Sequence, residues 1–263
     1  MDTVGNSLRT KEKWEDFWAS VKLPTVTKPA YDIQKHFKSY LPNTADANSL
    51  IEIGCAPGAW MAYFNKQFGY QVSGIEYAEI AASVTRKNMD MLGVHAEIFV
   101  QDFLSWDFKP RMYEVVFSAG FIEHFRNVAP VMERICGLSS RFVVTIVPNL
   151  YGINGVIRKY FSPKNFAEHT PISISTLEAL HTNCGIKKLF CDYVGGVEFV
   201  LPGAGSNFIN KLYRNHRNCT RIIYLLVIIV NRLSMYLGRT LKFSHNGRLL
   251  SNTLMYIGEK SYG

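Results

Sequence analysis

From Ser49 onward, short apolar runs recur along the chain: LIEIG (50–54), QVSGIE (71–76), AEIFVQ (96–101), YEVVFS (113–118), RFVVTIV (141–147), KKLFCDY (187–193) and NTLMYIG (252–258). Their brevity, their β-branched and aromatic content and the turn residues around them predict strands. Segments 58–68, 78–92, 126–138 and 174–184 space their apolar residues as helices do. Strands joined by helical crossovers imply an α/β fold with a parallel, doubly wound sheet covered on both faces. No ordinary crossover helix separates the last two strands, so an antiparallel pairing is expected to close the sheet.

Two stretches depart from this rhythm. The first forty residues read as helices, and Trp14, Phe17 and Trp18 form one apolar stripe at i, i+3, i+4. That stripe is expected to pack on a core, a role compatible with covering a ligand. The second is the long connection 194–250, which holds nine consecutive apolar residues from Ile222 to Val230. Such connections inside a compact domain seldom lack a purpose. A bilayer crossing needs about 20 apolar residues. An amphipathic or shallowly inserted helix is therefore the better membrane reading, against a buried helix or an oligomer interface. The expected organisation is an N-terminal helical cap (1–45), a core (46–198), a basic-apolar helical insertion (199–249) and a final strand (250–263).

Charge sharpens this division. The net charge is +8, yet no acidic residue occurs between Glu198 and Glu259. That interval holds Lys211, Arg214, Arg217, Arg221, Arg232, Arg239, Lys242 and Arg248, and the rest of the chain carries 21 basic and 21 acidic residues. The whole excess sits in the insertion, so contact with an anionic surface through residues 211–242 is expected. Five cysteines, at 55, 136, 184, 191 and 219, form no CxxC pair, which fits reduced thiols. The opening MDTVGNSLRTKEKWEDF has no apolar core, so no signal peptide is expected. The expected location is cytoplasmic, peripheral on the inner membrane face.

The candidate chemistry begins at SLIEIGCAPGAWMAYF (49–64). Gly54 ends a strand and Gly58 opens a helix, whose free N–H groups attract negative charge. In parallel sheets, ligands bind beyond the carboxyl ends of the strands. The next strand ends in Glu76, where a carboxylate accepts from both hydroxyls of a ribose. The third ends at Asp102, placed either to meet an adenine amine or to cap a helix. The six-residue G-x-G-x-x-G fingerprint of dinucleotide binders is absent.

This series resembles the class I S-adenosylmethionine-dependent methyltransferases. Their acidic-x-Gly-x-Gly-x-Gly turn is matched by Glu52, Gly54, Ala56 and Gly58, with Ala56 in place of the middle glycine; Cys55 lies within the same turn. Glu76, with Tyr77 after it, matches the ribose-binding acid, and Asp102 with Phe103 matches the adenine-contacting pair. Ala119 and Gly120 match the loop beside the methionine moiety. GFIEHF resembles the small-molecule branch, and LMYIGEK the family's final antiparallel strand. The resemblance implies a Rossmann-like, mostly parallel seven-stranded sheet with S-adenosyl-L-methionine as cofactor.

Methyl transfer to an alcohol calls for a base at the site mouth. His124 is the leading candidate, with Glu123 to orient it, and His169 is a second. The sequence shows no carboxylate cluster, so no metal is expected. VPNLYG followed by EHTPISISTLEAL resembles methyltransferases of bacterial surface-polysaccharide assembly, which implies a small-molecule or glycan acceptor, lipid-linked in the latter case. A rival reading is RNA 2′-O-methylation, since GCAPGAW also resembles the first motif of those enzymes. Their Lys-Asp-Lys-Glu tetrad is missing, however, with Ser118-Ala119-Gly120 where its aspartate belongs, and the insertion is strongly aliphatic whereas single-strand RNA binding favours aromatics. Nucleic acid is therefore not the expected partner. A third reading, a non-catalytic membrane-bound module, conflicts with an intact glycine turn and Glu76.

Overall fold

The computed structural model describes residues 6–42, 48–106, 112–197, 199, 217–241 and 246–261. Two helices, α1 (Lys11–Ala19) and α2 (Tyr31–Tyr40), precede the sheet. The strands are β1 (Ser49–Ile53), β2 (Gln71–Glu76), β3 (Ala96–Val100), β4 (Tyr113–Ala119), β5 (Ser139–Pro148), β6 (Ile186–Val197) and β7 (Ser251–Lys260). Between them run α3 (Ala59–Phe68), α4 (Glu79–Leu92), α5 (Ala129–Gly137), α6 (Ile153–Phe161), α7 (Pro163–Phe166), α8 (Ile174–Thr182) and α9 (Arg217–Thr240).

The sheet order is β3-β2-β1-β4-β5-β7-β6. β1 to β5 pair in parallel, and β7 lies antiparallel to both β5 and β6. This is the doubly wound, Rossmann-like sheet that the run of strands and crossovers predicts, closed by one reversed strand.

Both faces are buried, which explains the nearly continuous apolar strand runs. Period-two alternation sorts the side chains: Val115 and Phe117 of β4 join one core cluster and Val116 the other, which Tyr113 also joins across a register shift between 113 and 115. Phe142 and Val144 of β5 divide from Val143 and Val147 in the same way.

The two N-terminal helices play different parts. In α2, Ile33 and Phe37 sit one turn apart, are buried and belong to the core. In α1 no residue is buried, and Phe17 is 48% exposed. The core-packing expectation for its aromatic stripe therefore fails, because Trp14 and Trp18 face a cavity instead.

A candidate cofactor and acceptor cavity

A cavity of about 750 Å³ opens at the carboxyl ends of β1 to β4, within the roughly 300–1,000 Å³ typical of small-ligand sites. It sits where the chain order reverses, between β1 and β4. Its floor is the turn from β1 into α3. Gly54 takes a positive φ of 71°, and the Cβ of any other residue would lie 2.7 Å from the ring of Phe121. Gly58 also has a positive φ, 85°, and a Cβ there would meet Met89 Sδ at 2.9 Å. Both positions are therefore closed to side chains, by backbone conformation and by space.

Glu52, Gly54, Ala56, Glu76, Tyr77, Asp102, Phe103, Ala119, Gly120 and His124 all line the cavity. Glu52 is buried and its Oε2 accepts the Met61 N–H at 3.2 Å. The expected anion attraction of the α3 N-terminus is thus partly used by the chain itself. Burial first, and then the charge of Glu76, push the Glu52 carboxyl well above the carboxylate range. Glu76 Oε1 accepts the Ala78 N–H at 3.0 Å. Burial raises its pKa, and backbone hydrogen bonds from Ala78, Tyr77 and Ala56 oppose the rise.

Asp102 lines the cavity, and its Oδ1 accepts the Leu104 N–H at 2.9 Å in the turn after β3, where no helix begins for it to cap. Cys55 does not reach the cavity. It is fully buried in the core, and a Cβ added at Gly74 would lie 2.5 Å from its Sγ. Only its backbone takes part in the turn, with Cys55 N–H donating to Ile75 O at 3.2 Å.

The roof comes from the start of the chain. Ser7 bridges Phe125 antiparallel, Leu8 N–H donates to His124 O at 2.7 Å, and Arg126 N–H donates to Asn6 O at 2.9 Å. These bonds lay α1 over the cavity. Arg9 stacks 4.0 Å over the Trp14 ring, and Trp14 packs edge-on against His124 at 4.9 Å. The segment between α1 and α2 supplies Thr25, Val26 and Thr27 to the wall. Asn88 fixes it: its Oδ1 accepts Thr25 N–H at 2.7 Å, and its Nδ2 donates to Thr25 O and Pro57 O. Sequence reading missed Asn88 and also Trp60 and Phe121, both lining residues. Trp60, two positions after Gly58, carried a signal by proximity; Asn88, in mid-helix, carried none.

His124 ends a short 3-10 turn (Ile122–His124) after β4. Its Nδ1 lies 2.8 Å from Glu168 O. A carbonyl only accepts, so Nδ1 carries the proton and Nε2 holds a lone pair. Burial, then His169, push its pKa down to about 3. Glu123 is buried and is not among the cavity's lining residues, and burial pushes it up to about 8, against the pull of Arg158. The His169 ring lies 4.5 Å from that of His124, tilted by 51°, so the two candidate histidines are neighbours.

The residues present suit S-adenosylmethionine: an acid for the ribose at the tip of β2, an apolar and carboxylate wall after β3, and small residues after β4. Residues 50–138 match the family described as "Methyltransferase domain". Among curated proteins, none matches this sequence. The geranyl diphosphate C-methyltransferase of Streptomyces coelicolor A3(2) superposes with a TM-score of 0.59 at 11% identity, covering 95% of this chain and 98% of that one. A SAM-dependent methyltransferase from Archaeoglobus fulgidus gives 0.53 at 16%, covering 87% and 93%. The plantazolicin methyltransferase, solved with SAH, gives 0.55 at 16%, covering 89% and 83%. At these identities the structures establish a shared fold. The family match covers the strands that end in the glycine turn, Glu76 and the His124 loop: residues 50–138 are similar to a methyltransferase domain, and most of the chain shares the fold of S-adenosylmethionine-dependent methyltransferases.

Proposed function

We propose that the protein methylates an oxygen of a small molecule or of a sugar in a lipid-linked glycan. The observation that carries this reading is the imidazole of His124, whose Nδ1–H is committed to a carbonyl while the ring lines the cavity. Its remaining lone pair can take the proton that an alcohol loses on becoming an ether. The cofactor supplies a methyl carbon activated by a positive sulfur. Glu76 holds the ribose hydroxyls and Asp102 the adenine amine. Ala119 and Gly120 leave room for the methionine part, and Trp14 and Trp18 exclude water above it. The acceptor oxygen bonds to the methyl carbon, the carbon–sulfur pair stays on sulfur, and the proton moves to His124 Nε2.

The lipid-linked part of the reading is supported by α9. Tyr224, Val227, Asn231 and Ser234 are its half-buried positions, spaced as one helical face. The Asn231 side chain clips that face to the Phe199 backbone: its Oδ1 accepts Phe199 N–H at 2.9 Å and its Nδ2 donates to Phe199 O at 2.8 Å. Leu225, Leu226, Ile229 and Leu233, with Arg221 and Arg232, are exposed on the other sides. Among the described residues, no helix is long and apolar enough to cross a membrane. An apolar face rimmed by arginines suits the interface plane of an anionic bilayer. Lys211, Arg214 and Lys242 lie outside the described residues.

Methyl transfer from labelled S-adenosylmethionine into a cell extract tests the acceptor class. Label in lipid-linked or polysaccharide material is expected; label confined to RNA refutes the reading. The full chain is further expected to float with vesicles containing anionic lipid, and less so as salt rises, each arginine near the surface contributing about 1 kcal/mol. Flotation unchanged in Leu226→Glu with Ile229→Glu would show that α9 is not the contact.

A further inference from the structure

At the cavity wall, the fold brings a distant histidine to an adjacent glutamate–histidine pair. Glu123 and His124 are adjacent after β4, and His169 arrives from the segment that follows α7. One donor atom from each lies within 4.8 Å of the others. We propose that Glu123, His124 and His169 form a binding site for a divalent first-row transition metal, of the zinc or ferrous type.

Three observations carry it. First, both imidazoles are oriented as ligands are. His124 Nδ1 lies 2.8 Å from Glu168 O, and His169 Nδ1 lies 2.7 Å from Asn165 O. Each Nδ1–H therefore donates to a backbone carbonyl and each Nε2 keeps its lone pair, which is the arrangement outer-sphere carbonyls impose on metal-bound histidine. Second, Glu123 is 2% exposed, and its Oε2 has no hydrogen-bond partner. A buried carboxylate oxygen left bare is costly, and a cation would satisfy it. Its other oxygen, Oε1, faces His124 Nε2 at 4.0 Å. Third, the spacing is close to what a metal needs. Bonds of 2.0–2.2 Å in a tetrahedron put ligand atoms roughly 3.4 Å apart, so modest side-chain rotation closes the site.

The donor set also selects the ion. Two imidazoles and one carboxylate suit zinc or iron, whereas magnesium and calcium prefer oxygen ligands. Arg158 and Arg9 act electrostatically on this group, so an ion held by charge alone has little to gain there. One bound through nitrogen lone pairs gains directional bonds. Because His124 also lines the cavity, the open coordination position would face an acceptor oxygen. Metal ligation and proton removal use the same Nε2, so the two roles exclude one another at any instant.

The test uses metal alone, without cofactor or acceptor. Tag-free full chain is stripped with a chelator and titrated with Co²⁺, with Zn²⁺ as competitor. Uptake of one equivalent, with visible absorption of a four- or five-coordinate ion that Zn²⁺ abolishes, is expected. His169→Ala is expected to weaken it by at least roughly 100-fold, the upper end of what losing even an outer-sphere partner costs. Glu123→Gln is expected to act likewise, with melting temperature checked for both. Should the buried Glu123 variant fail to fold, the half-buried His169 decides. No stoichiometric uptake, or uptake indifferent to His169→Ala, overturns the site and leaves the proton-acceptor role of His124 standing.

Discussion

His124→Ala is expected to lower the rate of methyl transfer by roughly 10²–10⁴-fold, the usual contribution of a positioned proton acceptor. The cofactor's affinity should stay close to that of the parent protein, because the proposed ribose and adenine contacts, Glu76 and Asp102, come from other strands. The separation is built into the fold. His124 belongs to the turn after β4, and its ring is clamped between the Glu168 carbonyl and the edge of Trp14. Single-turnover rates with the acceptor fraction, beside calorimetry with S-adenosylhomocysteine, measure the two quantities independently. A rate within a few fold of the parent's would remove His124 from the chemistry. A parallel loss of affinity would make it a packing residue beneath the lid.

Glu76→Ala is expected to act on the other quantity. It should weaken S-adenosylhomocysteine by about 1–3 kcal/mol, roughly 5- to 150-fold in Kd, the size of losing charge-assisted hydrogen bonds. The carboxylate is 8% exposed, and its Oε1 is steadied by the Ala78 N–H. Its orientation is therefore set before any ligand arrives, and little ordering entropy is lost on binding. The removal also frees that backbone N–H, so Glu76→Gln is the instructive companion. The amide keeps an acceptor oxygen for Ala78 but loses the charge and one acceptor, and should fall between parent and alanine. Unchanged affinity in Glu76→Ala would place the ribose elsewhere.

These residues were legible because their positions follow from strand ends. Where both faces of a sheet are buried, a strand is a short apolar run, and its last residue marks the ligand side. LIEIG at 50–54 became Ser49–Ile53 for that reason, and QVSGIE was matched residue for residue. The aromatic stripe of α1 and the Ile33–Phe37 pair of α2 carry the same helical signature. One roofs a cavity and the other enters the core, and only the tertiary neighbours tell them apart. The Asn88 clamp is likewise hidden, since it joins residues 31 and 63 positions away. So is the meeting of His169 with Glu123 and His124, which depends on how the chain returns after α7. Spacing along a sequence reports local periodicity and is silent about such returns.

The place of β7 bears on how the molecule comes to exist during synthesis. Residues 251–260 do not extend the sheet at its margin; they wedge between β5 and β6, bonded to both. Until residues 251–260 leave the ribosome, β5 presents an unpaired edge and β6 has no sheet to join. The apolar helix α9 emerges before that gap is filled. Unpaired edges and exposed apolar surface are what draw nascent chains into aggregates or onto chaperones. On the proposed membrane reading, a lipid surface close to the site of translation gives α9 a resting place during that interval, so one contact serves first as shelter and later as address.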